Sequence, residues 1–243
     1  PLSVSGDIWG ETMADPTIGE DTVHEVFAEL DIPVLRGAPL VEELTVNLSA
    51  RWFDYDSYGD DSVWRAGLNW QVLPTFRIRA THGTSYRAPA LYELFLGNQT
   101  GFSGQLAIDP CIDWGESTND NIRNNCAAEG IPDDFDGDAQ DAVVFTSGGI
   151  GRLEAETSEA TTFGIIYTPT SINLSVAIDY YKIQIANQVA QFGEGAILAA
   201  CYGGENFPNE FCSLFDRNDG ADPARPFAIT EVRDNYVNIN QQE

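Results

Sequence analysis

Basic residues are scarce in this sequence. Its 243 residues include 12 Lys plus Arg against 38 Asp plus Glu, which gives a formal net charge of -26, and Lys182 is the only lysine. Surfaces that bind nucleic acid neutralise backbone phosphates with Lys and Arg. The charge balance therefore excludes nucleic acid as a partner.

Long apolar runs are also missing. The longest unbroken apolar run is Ala196 to Tyr202, far shorter than the roughly 18 residues that a membrane-spanning helix needs. The chain begins Pro1-Leu2-Ser3, without an initiator methionine and without the basic and apolar segments of a signal peptide. We therefore expect no transmembrane helix, and we expect either a processed chain or a piece of a longer one.

Cysteine and histidine are few, and their spacing is not that of a metal site. The four cysteines form two local pairs, Cys111 with Cys126 and Cys201 with Cys212, without any C-x-x-C spacing. A metal centre built from these thiols is the alternative, but the chain has only 2 histidines to complete it. We predict two loop disulfides, which are typical of a periplasmic or extracellular compartment.

No set of catalytic residues can be recognised. His24 and His82 are isolated, and there is no Gly-x-Ser-x-Gly nucleophile elbow. Paired carboxylates are too common in so acidic a composition to indicate acid–base chemistry. We therefore expect a protein that is not an enzyme and needs no cofactor, and a hydrolase is the least favoured alternative.

The sequence is rich in alternation of apolar and polar residues, and aromatic residues reach 11%. Alternation with period two indicates β-strands with one apolar face. Six strands are predicted, at residues 26–34, 44–53, 64–72, 76–81, 163–167 and 172–180. Short turns at 36–39, 73–75 and 169–171 lie at one end, and longer connections at 54–61, 85–155 and 191–226 lie at the other. This asymmetry is typical of a hairpin meander in a bilayer.

A soluble β-sandwich would also alternate, so the side chains must decide between the two. Ten-residue strands are long enough to cross a bilayer when tilted, and Trp52, Trp64 and Tyr180 lie where an aromatic girdle would. Four arginines fall on the polar face, which is where a barrel must keep charges, and they could pair there with acidic residues of the first strand. These are Arg51, Arg65, Arg77 and Arg79, with Glu25, Glu29 and Asp31 as partners. A solvent-facing sheet would place the arginines in the same way, so the sandwich stays open at this point.

The segment TSYRAPALYELF at 84–95 resembles the strand end and loop entry of TonB-dependent outer-membrane receptors. Segments VFAELDIPVL at 26–35, LSARWFDYDSYG at 48–59, LEAETSEATTFGIIYTP at 153–169 and LSVAIDYYKIQIANQV at 174–189 are similar to successive barrel strands of the same family. The resemblance implies an all-β fold, a partial antiparallel transmembrane β-barrel in which about six to eight strands form a hairpin meander with long extracellular loops.

What the resemblance implies for function is energised uptake of a scarce nutrient across the outer membrane of a Gram-negative bacterium. The ligand would be a ferric siderophore, cobalamin or a carbohydrate, and the partners would be outer-membrane lipid and the inner-membrane TonB complex. Such receptors have an N-terminal plug domain with a TonB box and a barrel of about 22 strands whose last strand ends in an aromatic residue. Neither the plug domain with its TonB box nor the aromatic C-terminal strand is recognised in residues 1–243. We therefore expect the chain to be a fragment from the C-terminal half of the barrel.

Candidate ligand contacts lie near the strand ends and in the long connections. Pro89, which follows Arg87-Ala88, has no backbone N–H to donate to a neighbouring strand, so a strand should end there. Arg87 should anchor this junction between strand and loop. Aromatic side chains at loop bases could stack on a ligand such as an aromatic siderophore or a sugar, although loop packing is the alternative. The candidates are Tyr58, Tyr86, Arg87, Tyr92, Phe95, Phe102 and Trp114.

A weak calcium motif occurs in the acidic part of the longest connection. Asp134, Asp136 and Asp138 alternate as in a calcium loop, but Gly137 comes one place early and the twelfth position is Phe145 rather than Glu. The rival to the whole interpretation is a secreted soluble β-sandwich that binds glycans through the same loop aromatics.

Overall fold

The structure is a computed structural model, and it describes residues 14–137 and 140–239. The strands in these ranges are β1 (Val23–Ala38), β2 (Val41–Tyr55), β3 (Gly59–Leu73), β4 (Phe76–Arg87), β5 (Gln99–Gly104), β6 (Asp141–Thr146), β7 (Glu156–Tyr167), β8 (Val176–Ala186), β9 (Gln188–Ala190), β10 (Phe215–Arg217), β11 (Ile229–Arg233) and β12 (Val237–Ile239). The helices are α1 (Leu91–Phe95), α2 (Gln105–Ile108), α3 (Asp120–Ala128) and α4 (Glu194–Gly203), with 3-10 turns at Trp114–Glu116 and Glu210–Leu214. None of the helices described is long and apolar enough to cross a membrane.

The chain divides into two compact units. The barrel unit comprises residues 20–90, 151–189 and 238–239, and the loop unit comprises residues 14–19, 91–137, 140–150 and 190–237. β9 and β12 pair as a two-stranded sheet.

The barrel unit is a six-stranded sheet with the order β1-β2-β3-β4-β7-β8, and every neighbouring pair is antiparallel. The register sets apolar residues opposite one another across the sheet, as in Leu30 opposite Leu48 and Leu48 opposite Ala66. Because side chains alternate with period two, this register gives the sheet one apolar and one polar face. All six predicted strands are confirmed.

Several predicted connections were wrong in length, and the turns predicted at 36–39 and 73–75 are each only two residues long. β8 begins at Val176 rather than Ile172, so the β7–β8 connection spans residues 168–175. The β2–β3 connection is only Asp56-Ser57-Tyr58, because Asp60 continues the ladder opposite Asp54 and Gly59 closes the turn at a φ of +89°. β2 and β3 extend past their apolar stretches into polar sequence, which alternation of hydrophobicity does not mark.

The apolar face of the sheet is exposed to its surroundings. Val26 is 69% exposed, Leu30 59%, Ile178 64% and Tyr180 63%. A β-sandwich would bury such residues between its two sheets. The exposed apolar face therefore favours a sheet that faces lipid over the soluble sandwich.

The loop unit contains regular structure of its own where the sequence predicts only a long connection. β10, β11, β6 and β5 form a four-stranded sheet in that order, in which β11 runs parallel to β6. The longest apolar run of the sequence, Ala196 to Tyr202, lies within the helix α4. The buried core gathers side chains from both long connections, including Cys111, Cys126, Ile197, Leu198, Cys201, Tyr202, Phe215, Ile229 and Val232.

Candidate functional site

The polar face of the barrel unit carries the predicted arginines, and one of them has its expected acidic partner. Arg51 lies 3.6 Å from Glu25, as predicted. Arg77 donates instead to Gln71 over 2.6 Å. The other two predicted partners of the arginines, Glu29 and Asp31, accept hydrogen bonds from Asn47 at 3.4 and 2.8 Å.

The ion pair of Arg79 crosses an intervening strand. Arg79 on β4 donates to both carboxylate oxygens of Asp179 on β8, at 2.8 and 2.7 Å, although β7 lies between these strands. Gly164 on β7 stands opposite both residues. A Cβ at Gly164 would lie 2.0 Å from Asp179 Oδ1, so the missing side chain makes room for the pair. Asp179 was not among the predicted partners, and a glycine inside an otherwise alternating strand was the only signal in the sequence.

Three of the four arginines border a cavity of about 430 Å³ on this polar face. It is lined by Glu29, Asp31, Asn47, Arg65, Arg77 and Arg79, among others. Charges of both signs and amide groups line this cavity. Its surface can therefore donate hydrogen bonds to an anionic group and accept them from a cationic one.

Two of the candidate aromatics meet in a cluster at the end of the sheet that bears the long connections. The ring of Tyr86 stacks on Phe53 with centroids 3.7 Å apart, and Tyr58 stacks on Tyr55 at 4.7 Å. Tyr55 also meets Tyr86 edge to face at 6.4 Å. Burial raises the pKa of the Tyr58 phenol, which stays protonated. Sequence reasoning missed Phe53 and Tyr55, although an aromatic residue on the polar face of β2 was a visible irregularity.

Arg87 closes the junction between β4 and β7. Its guanidinium makes two hydrogen bonds to Glu156, at 2.8 and 2.7 Å, and the backbone N–H of Val189 also donates to that carboxylate at 2.8 Å. β4 ends at Arg87, where the following Ala88-Pro89 predicted an end. The predicted anchor is thus seen, whereas contact of Arg87 with a ligand stays a prediction.

The remaining candidates lie in the loop unit and have different surroundings. Tyr92 is 55% exposed and meets Tyr236 edge to face at 6.3 Å. Phe102 on β5 is 48% exposed. These two rings present free surface that a ligand could reach.

The rings of Phe95 and Trp114 pack against other residues of the loop unit. The ring of Phe95 covers Gly19 so closely that a Cβ there would lie 2.0 Å from it. Trp114 packs against the core of the loop unit, and its indole N–H donates to the carbonyl of Ile131 over 3.2 Å. For these two, loop packing is what the structure shows, and a role in binding remains a prediction.

A buried ion pair holds the loop unit together. Arg217 and Asp109 are linked by two hydrogen bonds of 2.9 and 2.7 Å, with side chains only 6% and 0% exposed. The guanidinium also donates to the hydroxyl of Tyr202, which in turn donates to Glu129. Burial opposes the charge of Arg217, but the bonds and charge of Asp109 outweigh it and raise the pKa of Arg217. Nothing in the sequence links two residues 108 positions apart.

Both predicted disulfides are present. Cys111 is joined to Cys126 with 5.7 Å between the Cα atoms, and Cys201 to Cys212 with 4.9 Å. The weak calcium motif stays a prediction: Asp134 and Asp136 are exposed, and Asp138 lies outside the described residues. Within the ranges 14–137 and 140–239 no three His, Cys, Asp or Glu residues are grouped to hold a metal ion.

Comparison with solved structures finds the same fold in siderophore receptors. A mutant of the ferric enterobactin receptor PfeA from Pseudomonas aeruginosa, in complex with enterobactin, matches with a TM-score of 0.53 and 18% identity over 90% of this chain and 23% of that one. The siderophore receptor PirA from Acinetobacter baumannii matches with a TM-score of 0.51 and 12% identity over 90% and 24%. PirA from P. aeruginosa gives the same score and identity over 90% and 29%. The chain thus spans about a quarter of the length of these receptors.

The family comparison covers nearly the whole sequence. The model described as TonB dependent receptor-like, beta-barrel, matches residues 4–242. This match agrees with the six-stranded antiparallel meander, with its exposed apolar face and with its arginine-bearing polar face. The chain belongs to the TonB-dependent receptor family, and it is part of the β-barrel of such a receptor.

Proposed function

We propose that this chain is part of an outer-membrane receptor that captures a scarce nutrient and imports it with energy from the inner-membrane TonB complex. The observation that carries the proposal is the two-faced sheet within a family of receptors and transporters. An apolar outer face suits contact with lipid, and a charged inner face suits a wet passage. Receptor families of this kind do not catalyse reactions, which indirectly supports the expectation that the protein is not an enzyme.

A ferric siderophore is the ligand we favour. The structural neighbours include the ferric enterobactin receptor PfeA and the siderophore receptor PirA. Their identity to this chain is at most 19%, so they support the fold and only suggest the ligand. Cobalamin and carbohydrate remain the other candidates. The TonB complex would be engaged through a plug domain and TonB box outside residues 1–243, and the membrane would be the outer membrane of a Gram-negative cell.

Ligand capture would use aromatic rings near the strand ends. Tyr92 and Phe102 present free surface in the loop unit, and Tyr58 and Tyr86 form part of the aromatic cluster of the barrel unit. Stacking on aromatic side chains stabilises planar ligand groups by about 0.5–1.5 kcal/mol for each pair beyond the area they bury. Phe95, Trp114 and Arg87 would support these rings through packing and the ion pair with Glu156.

The test is uptake by the full-length receptor. Deletion of its gene should abolish accumulation of radioactive iron supplied as ferric siderophore to iron-starved cells, and the intact gene should restore it. Cobalamin and glycan uptake, measured in the same strains, decide between the alternative ligands. Unchanged growth and uptake under iron, cobalamin and glycan limitation would count against transport.

A further inference from the structure

Helix α4 begins without a capping side chain of its own. Its N-cap position is Gly193, which has a φ of +82° and no side chain to accept the first N–H groups of the helix. Asp234, which follows β11, supplies the cap instead, because its Oδ2 accepts the backbone N–H of Gly193 over 3.1 Å. The same carboxylate accepts the backbone N–H of Phe192. The start of α4 is thus held by a side chain from a distant part of the loop unit.

Asp234 is itself fixed to the sheet of the loop unit. Its backbone N–H donates to the carbonyl of Phe145 over 2.8 Å, next to the parallel pairing of β11 with β6. The side-chain amide of Gln191 donates to the carbonyl of Asp234 over 2.8 Å and to Thr146 Oγ1 over 3.3 Å. The contact therefore joins the end of β6, the end of β11 and the segment that enters α4.

The carboxylate that makes this contact is buried and only half satisfied. Asp234 is 6% exposed, and its Oδ1 has no hydrogen-bond partner among the residues that the structure describes. Glu194, the first residue of α4, adds a second negative charge beside it, and the carboxylate of Glu194 accepts the hydroxyl of Ser103 over 2.9 Å. An unsatisfied acceptor that is buried costs free energy, and a buried charge costs more.

Burial raises the pKa of Asp234, and the charge of Glu194 raises it further, although the two backbone N–H groups lower it. Tyr236, two positions along the chain, is the other titratable group beside Asp234. Burial raises the pKa of Tyr236, as do the charges of Glu93 and Asp234, so its phenol stays neutral. A carboxyl whose pKa is raised by folding binds its proton more tightly in the folded state. Its contribution to stability is fully present below the ordinary pKa of an aspartate and is lost as the pH rises through the pKa of the folded state.

We propose that Asp234 is a proton-operated latch of the loop unit. With its proton, Asp234 holds the start of α4 against the ends of β6 and β11. Without the proton, a buried charge beside Glu194 opposes the same contact, and the start of α4 loosens as the pH rises. The proton is the ligand that fits the free Oδ1, because a metal cation would lie against the positive end of the α4 dipole.

The latch borders the two exposed rings of the loop unit. Ser103, whose hydroxyl is bonded to the first residue of α4, follows Phe102 in β5. Tyr236 meets the ring of Tyr92 edge to face at 6.3 Å. Loosening of the latch therefore reaches the surface around both rings. The inference concerns the folding of the loop unit and does not depend on the ligand that the receptor transports.

The test is hydrogen exchange of the full-length receptor in detergent, followed for the peptide that covers residues 190–197 from about pH 4 to about pH 8. Variants are compared at the same pH, so the intrinsic effect of pH on exchange cancels. Asp234→Asn presents a neutral side chain to the same N–H groups. It should exchange at the wild-type rate at the acid end. At the alkaline end it should exchange about fivefold more slowly than the wild type, the effect of one unsatisfied buried acceptor.

Glu205→Gln is the matched control, because it removes one exposed carboxylate just beyond the other end of α4 and should follow the wild type at every pH. Glu194→Gln is a second variant that leaves Asp234 in place. It removes the charge that raises the pKa of Asp234, so the loosening at the alkaline end should be smaller than in the wild type but still present. If Asp234→Asn does not assemble, this second comparison decides.

A ratio of wild-type to Asp234→Asn exchange that is the same at both ends of the pH range would overturn the proposal. Slower exchange of the wild type on addition of calcium or potassium at the alkaline end would also overturn it, because a cation rather than a proton would then fill the site. The measurement involves no ligand uptake, so its outcome and that of the transport test are independent.

Discussion

Small residues on the polar face of the barrel unit determine how closely its strands and side chains approach. Gly164 gives room to the Arg79–Asp179 pair, and Gly83 lies against the backbone of β3 where the β3–β4 pairing ends, opposite Arg65. The polar character of this face was predictable from alternation. Which arginine pairs with which carboxylate was not, because partners such as Arg79 and Asp179 are brought together by a register that a single strand's sequence does not specify.

The Gly83→Ala substitution should destabilise the barrel. A Cβ at this position would lie 2.4 Å from the carbonyl oxygen of Trp64 and 2.7 Å from the Cα atom of Arg65. These are backbone atoms, so the strands must shift, and overpacking of this kind costs about 1–3 kcal/mol. Urea unfolding of the full-length receptor in lipid vesicles measures the change.

Gly67→Ala is the matched control on the neighbouring strand and the same face. A Cβ there would meet its nearest neighbour, the Cβ of Asn47, at an ordinary contact distance of 3.6 Å. Equal unfolding midpoints for the two alanine variants would show that the close approach at Gly83 does not matter for stability.

The buried pair of the loop unit should also be sensitive to substitution. Arg217→Met leaves the carboxylate of Asp109 buried without its partner, which costs about 3–5 kcal/mol. Hydrogen exchange of the α3 and α4 amides in the full-length receptor should become faster. Arg233→Met is the comparison: it removes a partly exposed guanidinium that pairs with Asp216 and Glu231, and it should cost less than Arg217→Met because both carboxylates keep contact with solvent. Similar exchange rates in the two variants would contradict the structural importance of the Asp109–Arg217 pair.

At the scale of elements, the long connections after β4 and after β8 fold together as one unit with its own sheet, helices and disulfides. The disulfides were predictable because each pair is close in sequence, and α4 was predictable from its apolar run. The sheet was not predictable, since β11 pairs in parallel with β6 from a distant part of the chain. Its strands are short, as in Ile229–Arg233, and give too few alternating residues for a pattern.

The Cys111–Cys126 disulfide should stabilise the loop unit and leave the barrel strands unaffected. It closes a loop of 15 residues, worth about 3 kcal/mol in the chain-entropy model. The double substitution of both cysteines by serine should accelerate hydrogen exchange in residues 105–131. Exchange in β1 to β3 is the internal control and should not change. Unaltered exchange in residues 105–131 would mean that the core holds this segment without the bond.

At the scale of the whole molecule, the exposed apolar face is the feature that separates a lipid-facing sheet from a soluble one. The sequence predicted the two faces, but it could not exclude a sandwich, because alternation is the same whether the apolar face meets lipid or a second sheet. The exposure of Val26, Leu30 and Ile178 in the six-stranded sheet removes that ambiguity.

A charge placed on the apolar face should therefore interfere with membrane assembly. Leu48 lies in the middle of β2 on that face, and Leu48→Arg should cost about 2–4 kcal/mol at the bilayer midplane. Ser49→Arg is the control, because the neighbouring side chain points to the polar face opposite Glu29. Heat-modifiable migration of the full-length receptor in gels measures assembly. Equal assembly of the two variants would contradict the assignment of the lipid face.

The clamp between Arg87 and Glu156 has a consequence for how such receptors diversify. Since the two residues hold the end of β4 against the start of β7, the strands are joined whatever lies between them in sequence. The entropy cost of closing a loop rises only slowly with its length. The 88–155 segment shares one sheet and one core with residues of the connection after β8, so it cannot be exchanged alone. If both connections change together, the Arg87–Glu156 pair should keep the register of the barrel intact, so that specificity can change while the scaffold does not.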